Sequence, residues 1–195
     1  MRIVGGKWRG RAIESPKGRD VTRPTTDRTR EQIASMVLSA RGLDLAGDSV
    51  LDAFAGSGAM GLELLSRGAA HATFVDLDRR AVQRVRRTAQ SLGASRDELD
   101  ALAGDACALA ARGLPGAPFD VVFLDPPYAL PAERVSGLVR DLAASGQLAE
   151  GAVVVYERSA QGATIQCPGL APVRTKTHGI TALDLLVYHP EEDAS

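Results

Sequence analysis

The chain reads as an α/β protein, an open and mostly parallel sheet with helices on both faces. Three observations point there. Short apolar runs alternate with helical segments along the body of the chain, the pattern of strand–helix–strand units. A glycine turn, AGSGAMG, sits between the first run and the first body helix. The acids Asp52, Asp76, Asp105 and Asp125 each fall at or just beyond the end of a strand-like run, where ligands bind in sheets of this kind.

The elements follow in order. DSVLDAF (48–54) is a strand, and MGLELLSRG after the glycine turn is a helix with Met60, Leu62, Leu64 and Leu65 on its apolar face. HATFVDLD (71–78) is the next strand. RRAVQRVRRTAQSLG (79–93) is amphipathic, with Val82, Val85, Ala89 and Leu92 at three- and four-residue steps and Gly93 as its stop. A weaker strand lies at 101–106 and a short helix at 106–112. FDVVFLD (119–125) is nearly continuous and β-branched, as a strand buried on both faces should be. A helix within 131–145, a strand at 152–158 and two last strands, around 163–166 and at 183–189, complete the body. GLPGAP (113–118) and CPGLAP (167–172) read as loops.

Composition sets bounds. At 195 residues, with 45% hydrophobic and 24% charged residues, one ordinary globular domain is expected, with room for an appendage. No run is long enough to span a bilayer and the N-terminus lacks a signal-peptide core, so a cytoplasmic protein without membrane contact is expected. Cys107 and Cys167 form no CxxC pair, and His71, His178 and His189 are scattered, so neither a metal site nor a disulfide framework is expected. Charge is uneven. Residues 1–30 hold nine Lys and Arg against three acids, and the remainder fourteen against twenty-one. A basic arm on an acidic body fits polyanion binding, though charge runs are often only solvated surface.

Gly56-Ser57-Gly58-Ala59-Met60-Gly61 matches G-x-G-x-x-G, opening a helix after a strand. The bland reading is a tight turn with no ligand. The functional one is a cofactor loop, since glycine lets a ligand approach the backbone closely. Asp76, twenty residues after Gly56, is placed to bond a ribose hydroxyl. Both a nicotinamide dinucleotide and S-adenosylmethionine (SAM) fit this pattern. A pyrophosphate needs the helix N-terminus free of acid, whereas the sulfonium of SAM welcomes one, and Asp52 stands four residues before Gly56. LDAFAGSGAMG resembles motif I of class I SAM-dependent methyltransferases. That resemblance implies a cofactor set of Asp52, Phe54, Gly56, Ser57, Gly58, Asp76, Leu77, Asp105 and Ala106, with Asp76 at the ribose and Asp105 at the adenine amine.

The run FLDPPY (123–128) ends with an acid, two prolines and a tyrosine. Proline ends strands anywhere, so a plain turn would explain it. DPPY also resembles the (N/D)-P-P-(Y/F) motif of amino-methyltransferases. An exocyclic amine on a base is a poor nucleophile, its lone pair being delocalised into the ring. The Asp125 carboxylate and Pro126 carbonyl would accept from that NH₂, orient it and stabilise the charge developing on nitrogen. Pro127 would stiffen the pair and Tyr128 offer a face to the base. Enzymes with this motif modify adenine or guanine in DNA or RNA, and some modify protein glutamine.

The arm narrows the choice. RIVGGKWRGRAI with TRPTTDRTREQIASM resembles the N-terminal signature of the RsmD family, and KTHGITALDLLVY its terminal hairpin. The likeness covers most of the chain. It departs at His178, where the family often has an aromatic residue, and no role is given to His178. The resemblance implies a Rossmann-like class I methyltransferase fold with seven strands ordered 3-2-1-4-5-7-6, the last antiparallel. Residues 1–40 would be a basic RNA-binding arm and helix, and 41–195 the SAM-dependent methyltransferase domain. The implied reaction is methylation of guanine N2 in 16S ribosomal RNA, at the position conventionally numbered 966. The implied partner is the 30S subunit or its assembly intermediate, and the implied state a monomer.

Lys7, Arg9, Arg11, Arg19 and Arg23 suit phosphate contact, and Trp8 suits either base stacking or packing, with packing slightly favoured. Thr26 or Asp27 would cap a helix running to about residue 40, with Ile33, Met36, Val37 and Ala40 on its apolar side. Thr25, Thr26 and Arg30 would touch the cofactor's methionine end or RNA, with capping and a surface salt bridge as equal alternatives. Glu157 reads as structural. Three rivals stay open: a DPPY enzyme acting on adenine N6 in DNA or RNA, an NAD-dependent oxidoreductase, and an inert RNA-binding module.

Overall fold

A computed structural model describes residues 1–15 and 26–190. In chain order its elements are α1 (Asp27–Ala40), β1 (Ser49–Asp52), α2 (Ala59–Ser66), β2 (His71–Asp76), α3 (Arg79–Leu92), β3 (Leu99–Ala103), α4 (Ala106–Ala110), β4 (Phe119–Leu124), α5 (Ala132–Ala144), β5 (Leu148–Ser159), β6 (Leu170–His178) and β7 (Thr181–Tyr188). The strands form one sheet, β3-β2-β1-β4-β5-β7-β6. β1 to β5 are parallel, and β7 runs antiparallel to both β5 and β6. This is the expected order and class.

Alternation along the strands builds two cores. Val50, Phe74, Val121, Phe123, Val153 and Val155 face α1, α2 and α3. Leu51, Val75, Val122, Leu124, Val154 and Tyr156 face α4 and α5. Because both faces are covered, β4 carries an almost unbroken apolar run, and every residue of α2 is buried, between the sheet and residues 1–15. Thr26 caps α1, its Oγ1 accepting from Thr29 N at 3.2 Å. Gly93 ends α3 in the left-handed conformation, with φ 81°.

Two strands differ from the expectation. β3 begins two residues earlier than expected and ends at Ala103, so Asp105 lies beyond the strand as the N-cap of α4. The strand expected around 163–166 is a loop whose Ile165 is buried, and β6 instead occupies 170–178. β6 is the sheet edge, most of its residues are exposed, and Pro172 sits where its register shifts. An edge strand is held by backbone bonds to one neighbour, so it needs no apolar alternation, and a search for apolar runs passes over it.

Residues 1–15 are packed onto the α2 side. Arg2 and Ala12 pair as a bridge, and Ile3, Trp8 and Ile13 are buried in the same core as α1 and α2. Their anchor is Glu63, fully buried on α2, which accepts from Val4 N and Gly5 N at 2.8 Å each and from Arg67 Nε at 2.8 Å. Ser66 Oγ donates to Gly5 O at 2.6 Å and accepts from Trp8 N at 2.9 Å. The first residue, Met1, reaches the glycine loop, its Sδ 3.7 Å from Ser57 Oγ.

Candidate active site

The acids meet where β1, β2, β4 and β5 end. Asp52, the last residue of β1, is 2% exposed and accepts from Gly61 N at 3.1 Å, in the first turn of α2. Burial, opposed by that hydrogen bond, and then the charges of Asp125 and Asp76 push its carboxyl up to about 7. Asp76 ends β2 and fastens the loop, accepting from Gly56 N at 2.6 Å and from Asp78 N at 2.8 Å. A carboxylate has further lone pairs, so these bonds leave Asp76 able to take a hydroxyl.

The glycines of the loop differ in purpose. A Cβ at Gly61 would lie 2.4 Å from the Phe74 ring, and one at Gly58 would lie 2.8 Å from Val85. Those two let α2 approach β2 and α3. Gly56 has φ 54°, and a Cβ there would meet nothing within 4 Å. It therefore faces open space, where a ligand has access to the backbone.

The remaining cofactor candidates are distributed around this loop. Phe54 is half-buried. Leu77, next to Asp76, is 74% exposed, an apolar surface of the sort an adenine ring would cover. Asp105 caps α4 through Cys107 N at 3.0 Å and stands 3.4 Å from Arg134 Nη2, while Ala106 is buried below it. The arrangement fits SAM better than a dinucleotide. Asp52 already occupies the first turn of α2, so a pyrophosphate would meet a buried acid, whereas a sulfonium would relieve the crowded negative charge.

At the end of β4, Asp125 is half-buried and Pro126 buried, while Pro127 and Tyr128 are exposed. Burial pushes the Asp125 carboxyl up to about 6. Tyr128 Oη lies 2.8 Å from Thr181 Oγ1 at the start of β7, which fixes the ring from the far strand. On β5, Glu157 lies abreast of Asp125, because Leu124 pairs with Tyr156 one step earlier. Its Oε2 is buried without a hydrogen-bond partner among the described residues. Burial first, and the Asp125 charge second, push its carboxyl up to about 7. Thr181 and Glu157 escaped the sequence reading as site residues. Aligning the ends of neighbouring strands would have found Glu157, since both acids follow apolar runs.

For two arm residues burial decides between the alternatives, against contact with RNA or cofactor. Trp8 is 6% exposed, with the Lys7 Nζ 4.5 Å from its ring centroid, so it packs and has no free face for a base. Arg30 is 1% exposed and donates to Arg2 O and Asp27 Oδ1 at 2.6 Å each, tying the arm to α1 instead of reaching into the cleft. Thr26 is occupied as the helix cap. Lys7 pairs with Glu98, Arg11 Nη2 donates to Ser91 O, and Arg9 is exposed. Arg19, Arg23 and Thr25 lie outside the described residues.

A sheet of this order, with a glycine loop between strand-end acids, defines a class I methyltransferase of Rossmann-like fold, with S-adenosylmethionine as its cofactor. The model of a family described as Conserved hypothetical protein 95 matches residues 1–187, and the chain belongs to that family, the RsmD family. Ribosomal RNA small subunit methyltransferase D of Escherichia coli K12 is 36% identical over 158 residues, 80% of this chain and 74% of that one. YlbH of Bacillus subtilis, named as an rRNA methyltransferase, is 34% identical over 185 residues, 94% of this chain and 96% of that one. The solved structure of the Escherichia coli protein yhhF superposes with a TM-score of 0.81 at 30% identity, covering 97% of this chain and 98% of that one. No helix among the described residues is long and apolar enough to cross a membrane.

Proposed function

We propose that this SAM-dependent rRNA methyltransferase modifies the exocyclic N2 of a guanine in small-subunit ribosomal RNA, the 16S guanine numbered 966. Its substrate is the 30S subunit or an assembly intermediate, and it works as a cytoplasmic monomer. The observation that carries the reading is Asp125 followed by Pro126 at the end of β4, two residues beyond the level of Asp52 and near enough for the Asp125 charge to act on it. The named rRNA methyltransferases among its relatives support the substrate.

SAM supplies an electrophilic methyl group carried on a sulfonium. The chain supplies position and charge. Asp76 and the glycine loop would hold the cofactor's ribose end, and Asp105 its adenine. Asp125 and the Pro126 carbonyl accept from the amine and point its lone pair at the methyl group. Tyr128, steadied by Thr181, lies under the base. With its carboxyl raised to about 6, Asp125 is charged at neutral pH yet basic enough to take the proton that the methylated amine sheds.

Asp125→Ala tests this directly. Unmodified 30S particles and labelled SAM should show transfer lost, while calorimetry shows SAM still binding. Transfer that continues at the wild-type rate would sink the assignment.

A further inference from the structure

We propose that Glu157 reads the N1–H of the target guanine while Asp125 takes the N2 amine beside it. The pair then selects a base edge with two neighbouring donors, an inference that rests on the guanine N2 reading above.

Geometry comes first. β4 and β5 are parallel and in register at Leu124 and Tyr156, so the next residues, Asp125 and Glu157, stand abreast at a strand spacing of about 4.8 Å. Leu124 and Tyr156 point into the α4–α5 core, so the following side chains turn to the opposite face together. Asp125 belongs to the acceptor pair for the amine. Glu157 is therefore set beside N1, the ring nitrogen next to the carbon that carries the amine.

Second, Glu157 is incomplete as it stands. Its Oε2 is buried without a partner among the described residues, whereas buried polar atoms are nearly always bonded. Two acids side by side repel, and burial with that repulsion raises the Glu157 carboxyl to about 7. A ligand that donates one N–H to each carboxylate removes both problems. The Watson–Crick edge of guanine does so, presenting N1–H next to the N2 amine, and a base taken out of its stack is read on that edge. Adenine presents its N6 amine beside a bare N1 lone pair, which would face the Glu157 lone pair. In its charged form, which dominates above about pH 7, the same carboxylate rewards one base and repels the other, so the preference is read at pH 8.

The test compares two targets, guanine and 2-aminopurine, placed at the modified position of otherwise identical reconstituted 30S particles. 2-Aminopurine keeps the 2-amine but has an unprotonated N1. It also lacks O6, so the change in preference on mutating Glu157 is measured as well as the wild-type preference. The wild type should favour guanine in kcat/KM by about ten- to a hundredfold, the usual consequence of one unmet buried hydrogen bond. In Glu157→Gln the amide can donate to the bare N1, so the preference should fall to within about threefold while SAM binding stays unchanged. The swap removes a buried charge, and thermal melting should show the variant folded. Glu157→Asp withdraws the carboxylate by one methylene and should also narrow the preference, mainly by slowing transfer to guanine.

A wild type that treats the two bases alike overturns the assignment. So does a Glu157→Gln variant that slows both targets equally. If the wild type transfers nothing to the guanine particle, it is the proposed function that fails instead.

Discussion

Replacing Asp52 by asparagine would remove the most deeply buried charge of the cleft and leave its shape. The side chain is 2% exposed, and its carboxyl is raised from 3.8 to about 7. That rise corresponds to about 4 kcal/mol held against the charged form. The sign follows from where the proton sits. Between about pH 4 and 7 the folded protein keeps a proton that the unfolded chain has released, so folding is favoured below pH 4 and loses stability as pH climbs through 7. Asparagine carries no charge at any pH, and its oxygen can still accept from Gly61 N. Even if only half of the penalty is recovered, the gain at pH 8 is about 2 kcal/mol, roughly 4–8 °C in melting temperature for a chain of this size. Thermal melts of the SAM-free protein from pH 4.5 to 8 would measure it, and the gain should shrink toward the acid end. In calorimetry at pH 8, SAM should bind the variant about tenfold more weakly, while the product S-adenosylhomocysteine, which lacks the sulfonium charge, loses less. A variant that melts below the wild type at pH 8, or binds both ligands unchanged, would refute the reasoning.

Two further outcomes are expected. Gly6→Ala puts a methyl group 1.8 Å from Ser66 O at a residue with φ 75°, so it should detach the N-terminal hairpin and cost more than about 2 kcal/mol, seen as a lower melting temperature and earlier proteolysis of residues 1–15. Tyr128→Phe loses only the bond to Thr181 and should raise KM for the particle about two- to fivefold, whereas Tyr128→Ala loses the platform itself and should lower kcat/KM by at least a hundredfold; equal effects from the two would remove stacking from the account.

Strand–helix alternation, the glycine loop and the acids at strand ends were legible in the sequence, because a buried parallel sheet demands apolar runs and its ligands gather where the strands end. The strand β6 was not, since an exposed edge carries no periodic signal. The arm was legible as charge but not as structure. Its attachment depends on Glu63 and Ser66, which on the page are two polar residues in an otherwise apolar helix and in space are the acceptors for Val4, Gly5 and Trp8. Trp8 and Arg30 show the same limit: composition counts a cation or an aromatic ring, and only packing tells which way it faces. Glu157 shows the reverse. Its local sequence is an ordinary strand ending, and its neighbour across the sheet gives it a chemical setting.

The claim that this site methylates guanine N2 meets its most direct test in the product. Unmodified 30S particles incubated with the protein and SAM, digested to nucleosides and analysed by mass spectrometry, should yield N2-methylguanosine, about one per particle, traceable to a single 16S fragment. N6-methyladenosine in its place would contradict the account and make the site an adenine reader.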